Sequence, residues 1–395
     1  MAGLAIRPLR IGIATDALHE RVVDRQVRIA NGGVGVYVHQ LVRHLLSIDR
    51  VNEYFLIRFG RGQLDIYSHP RAHGIFLPDT RVNRAVALTG DPYSRLAREL
   101  RLDLLHFPNM FGGGFRRGQA KQIATVHDLT PLILPSMHPM KRVIATRLAL
   151  TRCMRDSDRV IVPSQVTGRD LMKTTSVQPG KIVHIPEGVN STMRRISPTV
   201  EFAARYQITR PFILTVGVLE PRKNHNLLLL VLRELRIRGH DLELIIIGRP
   251  GWRWRSPLKM MRFEDIRPWV RILADVSDVD LVEFYNRAAL FMYPSFYEGF
   301  GLSILEAMAC GAPVISSSTS SMPEVAGTAA LFADPVDAQS FAEQARRVLS
   351  DRGLREAMVD AGVTHAKRFT WQASAEATLA LYEEVCTSGA PASPS

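Results

Sequence analysis

Two carboxylates, Glu298 and Glu306, stand eight positions apart across a glycine turn in YPSFYEGFGLSILEAMACGAPVIS, residues 293–316. LFMYPS reads as an apolar strand, EGFG as a turn, and LSILEAMACG as a helix that Gly311 stops. Backbone N–H groups around Gly301, Leu302 and Ser303 have no intrahelical partner at such a start and suit an anion. Carboxylates on either side suit hydroxyls rather than the anion itself. The pattern therefore fits a polyhydroxylated ligand with phosphate in its middle, a nucleotide-linked sugar. Glu298 would then take hydroxyls of the transferred sugar and Glu306 those of the ribose. A blander reading has Glu298 serving only the helix dipole and Glu306 facing solvent. The run Ala307, Met308, Ala309, Cys310 implies close packing around Glu306 and weighs against it.

Three further turns carry residues of chemical interest. In TVGVLEPRKNHNLLLLVLREL (215–235) a strand ends at Gly217, and Arg222, Lys223 and Asn224 precede a helix. The planar fork of an arginine beside the point charge of a lysine suits a diphosphate, although a solvated basic turn has the same sequence. TVHDLTPLILP (125–135) sets His127 and Asp128 at a strand end, where the imidazole could meet a sugar hydroxyl or a developing charge, or merely cap the strand. In NGGVGVYVHQL (31–41), Gly32, Gly33 and Gly35 precede an amphipathic helix over 35–48 and would let backbone amides approach an anion. Their spacing is not the dinucleotide fingerprint. Asp278 and Asp280 have the D-x-D spacing of metal-dependent sugar transferases, but Ser277 three residues before Asp280 reads as a helix cap. No other cluster has metal-ligand spacing, so neither a metal nor a cofactor is expected.

These turns need rigid elements behind them. Strand-like runs alternate with helical patterns along the whole chain: RIGIATD, EYFLIRF, DLLHFP, KQIATVHD, RVIVPS and KIVHIPEGV, then FILTVG, LELIIIG, VRILAD, LFMYP, PVISS and ALFAD. Continuous apolar strands alternating with helices imply parallel sheets covered on both faces. Residues 190–211 carry no strand pattern and mark a break. The chain is therefore expected to form two α/β, doubly wound, Rossmann-like domains facing a cleft, 1–200 and 201–370. Residues 371–395 would form a final helix and a disordered tail. Ligands in such sheets bind beyond the carboxyl ends of strands, where the turns above lie.

Composition excludes several classes. No run of about 18 apolar residues occurs and the N-terminus lacks a signal-peptide pattern, so a cytoplasmic protein is expected. Cys153, Cys310 and Cys386 have no redox or metal spacing. Residues 1–195 hold 29 Lys+Arg against 15 Asp+Glu, net +14, and the remainder 21 against 23, net −2. An excess confined to one half fits an acidic partner or a solvated basic surface. No stacking-aromatic cluster or nucleic-acid motif accompanies it, so nucleic acid is not expected.

Taken together, the motifs resemble the retaining GT-B glycosyltransferases of glycosyltransferase family four. GGVGVYVHQL, VHDLTPLILP, VPSQVTGRDLM, KIVHIPEGVN, LTVGVLEPRKNHNLLL, SDVDLVEFYNRA and YPSFYEGFGLSILEAMACGAPVISSSTSSMPEVAG occur in family order over nearly the whole chain. The resemblance implies metal-independent transfer of a hexose from a nucleoside diphosphate sugar, with retention, to a saccharide or lipid-linked acceptor in cell-surface polysaccharide synthesis. Arg222 and Lys223 would neutralise the leaving diphosphate, Glu298 hold the donor sugar, and Glu306 bind the ribose. Amides from Phe300 through Gly301 and Leu302 to Ser303 would meet sugar and phosphate. His127 would stand beside the donor sugar, Gly33 and Gly35 in the loop that closes on donor and acceptor, and the last helix would pack back on the first domain. Many relatives carry an arginine where this chain has Val218. GDP-mannose is the preferred donor, with UDP-sugars an alternative. An anionic membrane surface is a candidate partner for the basic segment 138–155, placing the protein on the inner face of the cell membrane. A nucleotide-sugar epimerase and a non-catalytic nucleotide-sugar binder are the rival readings. Glu298→Ala and Lys223→Ala would each remove most turnover with little change in melting temperature.

Overall fold

The computed structural model describes residues 7–16, 20–23, 26–29, 33–60, 67–78, 91–111, 120–197, 199–252 and 265–387. The expected disordered tail over 388–395, and Gly32, lie outside them. The chain divides into two compact units, Met1–Glu187 with Trp371–Ser395, and Gly188–Thr370.

The first unit is built on a parallel sheet of β1 (Arg10–Ala14), β4 (Glu53–Phe59), β5 (Ala72–Leu77), β6 (Leu104–Phe107), β7 (Lys121–Thr125), β8 (Arg159–Val162) and β9 (Ile182–His184). Its order is β5-β4-β1-β6-β7-β8-β9, and a small antiparallel pair, β2 (Glu20–Val23) with β3 (Gln26–Ile29), stands apart. The second unit holds a parallel sheet of β10 (Phe212–Val216), β11 (Glu243–Ile247), β12 (Val270–Leu273), β13 (Leu290–Tyr293), β14 (Val314–Ser317) and β15 (Leu331–Ala333), in the order β12-β11-β10-β13-β14-β15. Strands such as ELIII of β11 and LFMY of β13 are buried along their whole length, which is why they read as unbroken apolar runs.

Each sheet reverses its direction of growth once, between β1 and β6 in the first and between β10 and β13 in the second. The carboxyl ends at such a reversal diverge into a crevice, where open α/β sheets take their ligands. The turn after β10 carries Arg222 and Lys223, and the loop after β13 carries Glu298.

The division falls at Gly188 rather than near residue 200, because the intervening segment packs with the second unit. Val189 N–H donates to Phe369 O at 3.0 Å, Met193 is buried in that unit's core, and Ile196 N–H donates to Asn286 Oδ1 at 2.9 Å. The final helix Trp371–Thr387 returns to the first unit. Trp371 is 2% exposed and meets Tyr37 edge-on at 5.9 Å, Tyr382 OH lies 2.6 Å from His106 Nδ1, and Glu384 pairs with Arg159 at 2.9 Å. The sequence reading missed β5 and the short helix Val200–Arg205. The first is a half-exposed edge strand interrupted by Gly74, and the second is only six residues long.

Candidate active site

In the second unit the two motifs at the sheet's reversal meet. After β10 the chain passes Gly217 and enters a tight turn, Pro221–Lys223, closed by Asn224 in the left-handed conformation with φ 55°. Gly248, at the end of β11, comes so close that a Cβ there would lie 1.8 Å from the Gly217 carbonyl oxygen, so only glycine permits this approach. The turn is stitched to the loop after β13. Phe296 N–H donates to Arg222 O at 2.9 Å, and Asn224 Nδ2 donates to Pro294 O at 3.2 Å.

This stitching brings four ionisable side chains together, all nearly buried. Glu298 Oε2 lies 2.6 Å from Arg222 Nη1, and its Oε1 lies 2.7 Å from Lys223 Nζ. Arg222 Nε also reaches Glu220 Oε1 at 2.5 Å, and Lys223 Nζ donates to Tyr293 OH at 2.5 Å. Burial alone would raise the Glu298 carboxyl, but the charges of Arg222 and Lys223 outweigh it and hold the pKa at about 2. Burial pulls Lys223 below its usual value, opposed by Glu298, and pushes Glu220 up, opposed by Arg222. With both carboxylates ionised the quartet is neutral.

One sequence expectation changes here, and two observations add to it. Glu298 lies five residues beyond the end of β13, in a loop rather than at the strand end, and its side chain is 8% exposed. Arg222 and Lys223 are not a solvated pair; each is already engaged by Glu298. Glu220, which sequence reading passed over, completes the set. Its only signal was its place two residues before the arginine, on a turn too tight to hold them apart.

The helix after the loop, Leu302–Ala309, starts from Gly301 with φ 104°, a conformation that glycine adopts without cost. Phe300 is buried in the unit's core while Leu302 and Ser303 are half-buried at the helix's first turn. Glu306 is half-buried and accepts a hydrogen bond from Tyr285 OH at 2.9 Å, so it is not a solvated side chain. Ser277 caps its helix through the Asp280 N–H at 3.1 Å, as read from sequence, while the Asp280 carboxylate engages Ser277 and Tyr206.

In the first unit, His127 lies two residues beyond β7. Its Nδ1 is 3.0 Å from Glu187 Oε1 and its Nε2 is 2.9 Å from Pro108 O. Both neighbours accept only, so both ring nitrogens must carry protons for both bonds to form. Burial alone would lower the pKa, but the Glu187 carboxylate more than offsets it, and the net shift is upward. Asp128 turns away to accept the Thr130 N–H at 2.9 Å. Gly33 and Gly35 belong to the first turn of the helix Gly33–Ile48, which begins two residues earlier than the sequence implied. Gly33 is exposed and has open space around it, nothing lying within 4 Å of where a Cβ would stand, whereas Gly35 is buried. Glu187 was not singled out in the sequence, since 60 residues separate it from His127.

The histidine's raised pKa fixes the sign of a stability test. The contribution of the pair is complete below about pH 6.5 and fades as pH rises through the raised value. Glu187→Gln will therefore cost more melting temperature, relative to wild type, near about pH 6 than near about pH 9. An equal cost at both pH values would show that His127 is neutral in the fold.

The two parallel sheets, each reversing its growth once, are the architecture of GT-B glycosyltransferases. The family model described as "Glycosyl transferases group 1" matches residues 201–365, and that described as "Glycosyltransferase Family 4" matches residues 31–192. The O-antigen chain mannosyltransferase B of Escherichia coli is 31% identical over 287 residues, covering 71% of this chain and 74% of that protein. A D-inositol 3-phosphate glycosyltransferase of Thermobispora bispora is 27% identical over 417 residues, covering 96% of both chains. Among solved structures, sucrose-phosphate synthase of Thermosynechococcus elongatus superposes with a TM-score of 0.76 at 19% identity, over 96% of this chain and 100% of that one. The chain belongs to this family of GT-B glycosyltransferases.

Proposed function

We propose that the protein transfers a hexose, with retention and without a metal ion, from a nucleoside diphosphate sugar to a saccharide or lipid-linked saccharide acceptor. The observation that carries this reading is the quartet of Glu220, Arg222, Lys223 and Glu298 beside the helix start at Gly301, at the reversal of the second sheet. Arg222 and Lys223 would face the leaving diphosphate, where negative charge grows as the glycosidic bond breaks. Cations fixed there stabilise the transition state more than the ground state. Glu298 would exchange part of its hold on them for hydroxyls of the donor sugar, and Glu306 would take the ribose. Amides of Phe300, Gly301, Leu302 and Ser303 would meet the phosphate. His127 would stand beside the donor sugar, its ring fixed by Glu187 and Pro108, with Gly33 and Gly35 near donor and acceptor. The leaving phosphate oxygen would take the acceptor's proton during same-face attack.

GDP-mannose is the donor favoured by the likeness to a mannosyltransferase, and cell-surface polysaccharide the favoured product. Thermal shift with a panel of nucleotide sugars, followed by the anomeric configuration of the product by NMR, tests the reading. Inversion at the anomeric carbon, or no donor transferred from the panel, would overturn it. An epimerase would instead return a changed nucleotide sugar with no acceptor consumed.

A second observation supports a partner. Met140, Ile144 and Leu148 are 66%, 54% and 64% exposed on the helix Met140–Asp156, spaced by four residues along one face. The opposite face buries Thr146, Leu150, Cys153 and Met154. Lys141 and Arg147 lie on either side of the apolar stripe at ~100° per residue. Apolar side chains flanked by cations suit an anionic lipid surface, and no described helix is long and apolar enough to cross a membrane. The double variant Ile144→Glu, Leu148→Glu will lose about tenfold or more in co-sedimentation with phosphatidylglycerol vesicles. Wild-type binding no stronger to these than to phosphatidylcholine would remove the proposed surface.

A further inference from the structure

The loop that carries Glu298 is held from one side by side-chain hydroxyls. Thr319 Oγ1 donates to Phe296 O at 3.1 Å. Ser320 Oγ donates to Glu298 O at 2.6 Å and accepts from Glu298 N–H at 3.2 Å. Ser321 Oγ lies 2.9 Å from Glu298 O and 2.8 Å from Phe300 O and shares its one proton between them. The carbonyls at alternate positions, 296, 298 and 300, thus each accept from a hydroxyl of the 319–321 run. The intervening Tyr297 carbonyl accepts from Arg222 Nη1 at 3.1 Å. The loop bends at Phe296, Gly299 and Phe300, and it has a row of hydroxyls as partner on one side and the arginine of the quartet as partner on the other.

Ser320 shows what this arrangement costs. Its φ is 56°, in the left-handed region where a serine is strained and a glycine is not. Backbone strain of this kind persists where surrounding structure uses the side chain. Here a single hydroxyl satisfies both backbone polar groups of Glu298, which glycine could not do.

We propose that Ser320 and Ser321 are positioning residues for the transfer reaction. Their hydroxyls fix the backbone of Glu298–Phe300, and through it the carboxylate against Arg222 and Lys223 and the amides entering the helix at Gly301. The proposal rests on the reading of Glu298 as a donor-sugar ligand.

Ser320→Gly separates positioning from stability, because it removes the hydroxyl and relieves the strain together. In the full chain its melting temperature will stay close to that of wild type, because the relieved strain offsets the lost hydrogen bonds. Its kcat with GDP-mannose or UDP-glucose will fall about tenfold or more with KM little changed, and amide exchange over 296–301 will speed up. Ser321→Thr, which keeps a hydroxyl, will retain more kcat than Ser321→Ala. Wild-type kcat in Ser320→Gly, or unchanged exchange over 296–301, overturns the proposal. Glu298→Gln run in parallel distinguishes the failures. If it is inactive while Ser320→Gly is fully active, only the hydroxyl row loses its role; if it is fully active, the reading of the site itself fails.

Discussion

Glu298→Gln will bind free GDP or UDP more tightly than the wild-type protein and transfer sugar at least about 100-fold more slowly. Both effects follow from the quartet. In the resting protein Glu298 is ionised, with its pKa held at about 2, and touches both cations. On the proposed reading, a diphosphate would compete with that carboxylate for Arg222 and Lys223. Glutamine keeps the shape and removes the competitor, leaving the site one charge more positive. A charge-assisted contact is worth roughly 1.5–3 kcal/mol, so an affinity gain of about 10- to 100-fold is expected from one such contact. Turnover would fall, on the same reading, because the amide cannot offer the sugar hydroxyls an anionic acceptor while the ring gains positive charge. Isothermal titration with each nucleotide and a donor-turnover assay check the two halves separately. Weaker nucleotide binding with unchanged turnover would mean that Glu298 serves the fold alone.

The same geometry corrects the expected stability of Glu298→Ala. A carboxylate facing an open crevice could be truncated with little change in melting temperature, which is what the sequence led one to expect. Glu298 is instead the shared counter-ion of two nearly buried cations. Removing one partner from a buried pair strands the other charge and costs about 3–5 kcal/mol. Glu298→Ala will therefore melt markedly lower than Glu298→Gln, and activity in the alanine variant should be read only at temperatures where it is folded.

Trp371→Ala will destabilise the first unit by about 3–5 kcal/mol, the usual cost of emptying a buried tryptophan site. Trp371 opens the helix that returns to that unit, and its ring is packed against Tyr37, which in turn meets His127 edge-on at 4.7 Å. Amide exchange will accelerate through the first unit's sheet, β1 and β6 to β8 included, while β10 to β15 keep wild-type protection. Equal loss in both units would show that the final helix supports the whole chain rather than the unit it packs in.

The strands were legible because they are buried on both faces, so burial leaves an uninterrupted apolar signature. The turns that carry Arg222, Lys223 and Glu298 were legible because glycine and proline punctuate them. What escaped were relations across the chain. Glu220 and Glu187 look like ordinary surface acids until the fold brings them to Arg222 and His127. Ser320 and Ser321 sit in a serine-rich run that reads as a loop, and only the backbone of Glu298 explains their hydroxyls. Gly33 and Gly35 read as a loop because glycine weakens helix propensity, yet a first helical turn tolerates them where the rest of a long apolar face sustains the helix.

The chain enters and leaves the second unit at one place. Val189 and Thr370 form a parallel bridge, and Val189 N–H is bonded to Phe369 O. A unit whose two ends lie side by side can be lifted out and replaced without stretching the chain on either side. Residues 188–370 therefore constitute a cassette. If the second unit holds the donor as proposed, grafting the corresponding segment of a relative with a different donor into this chain will carry nucleotide-sugar preference with it, which a donor panel on the chimera would read.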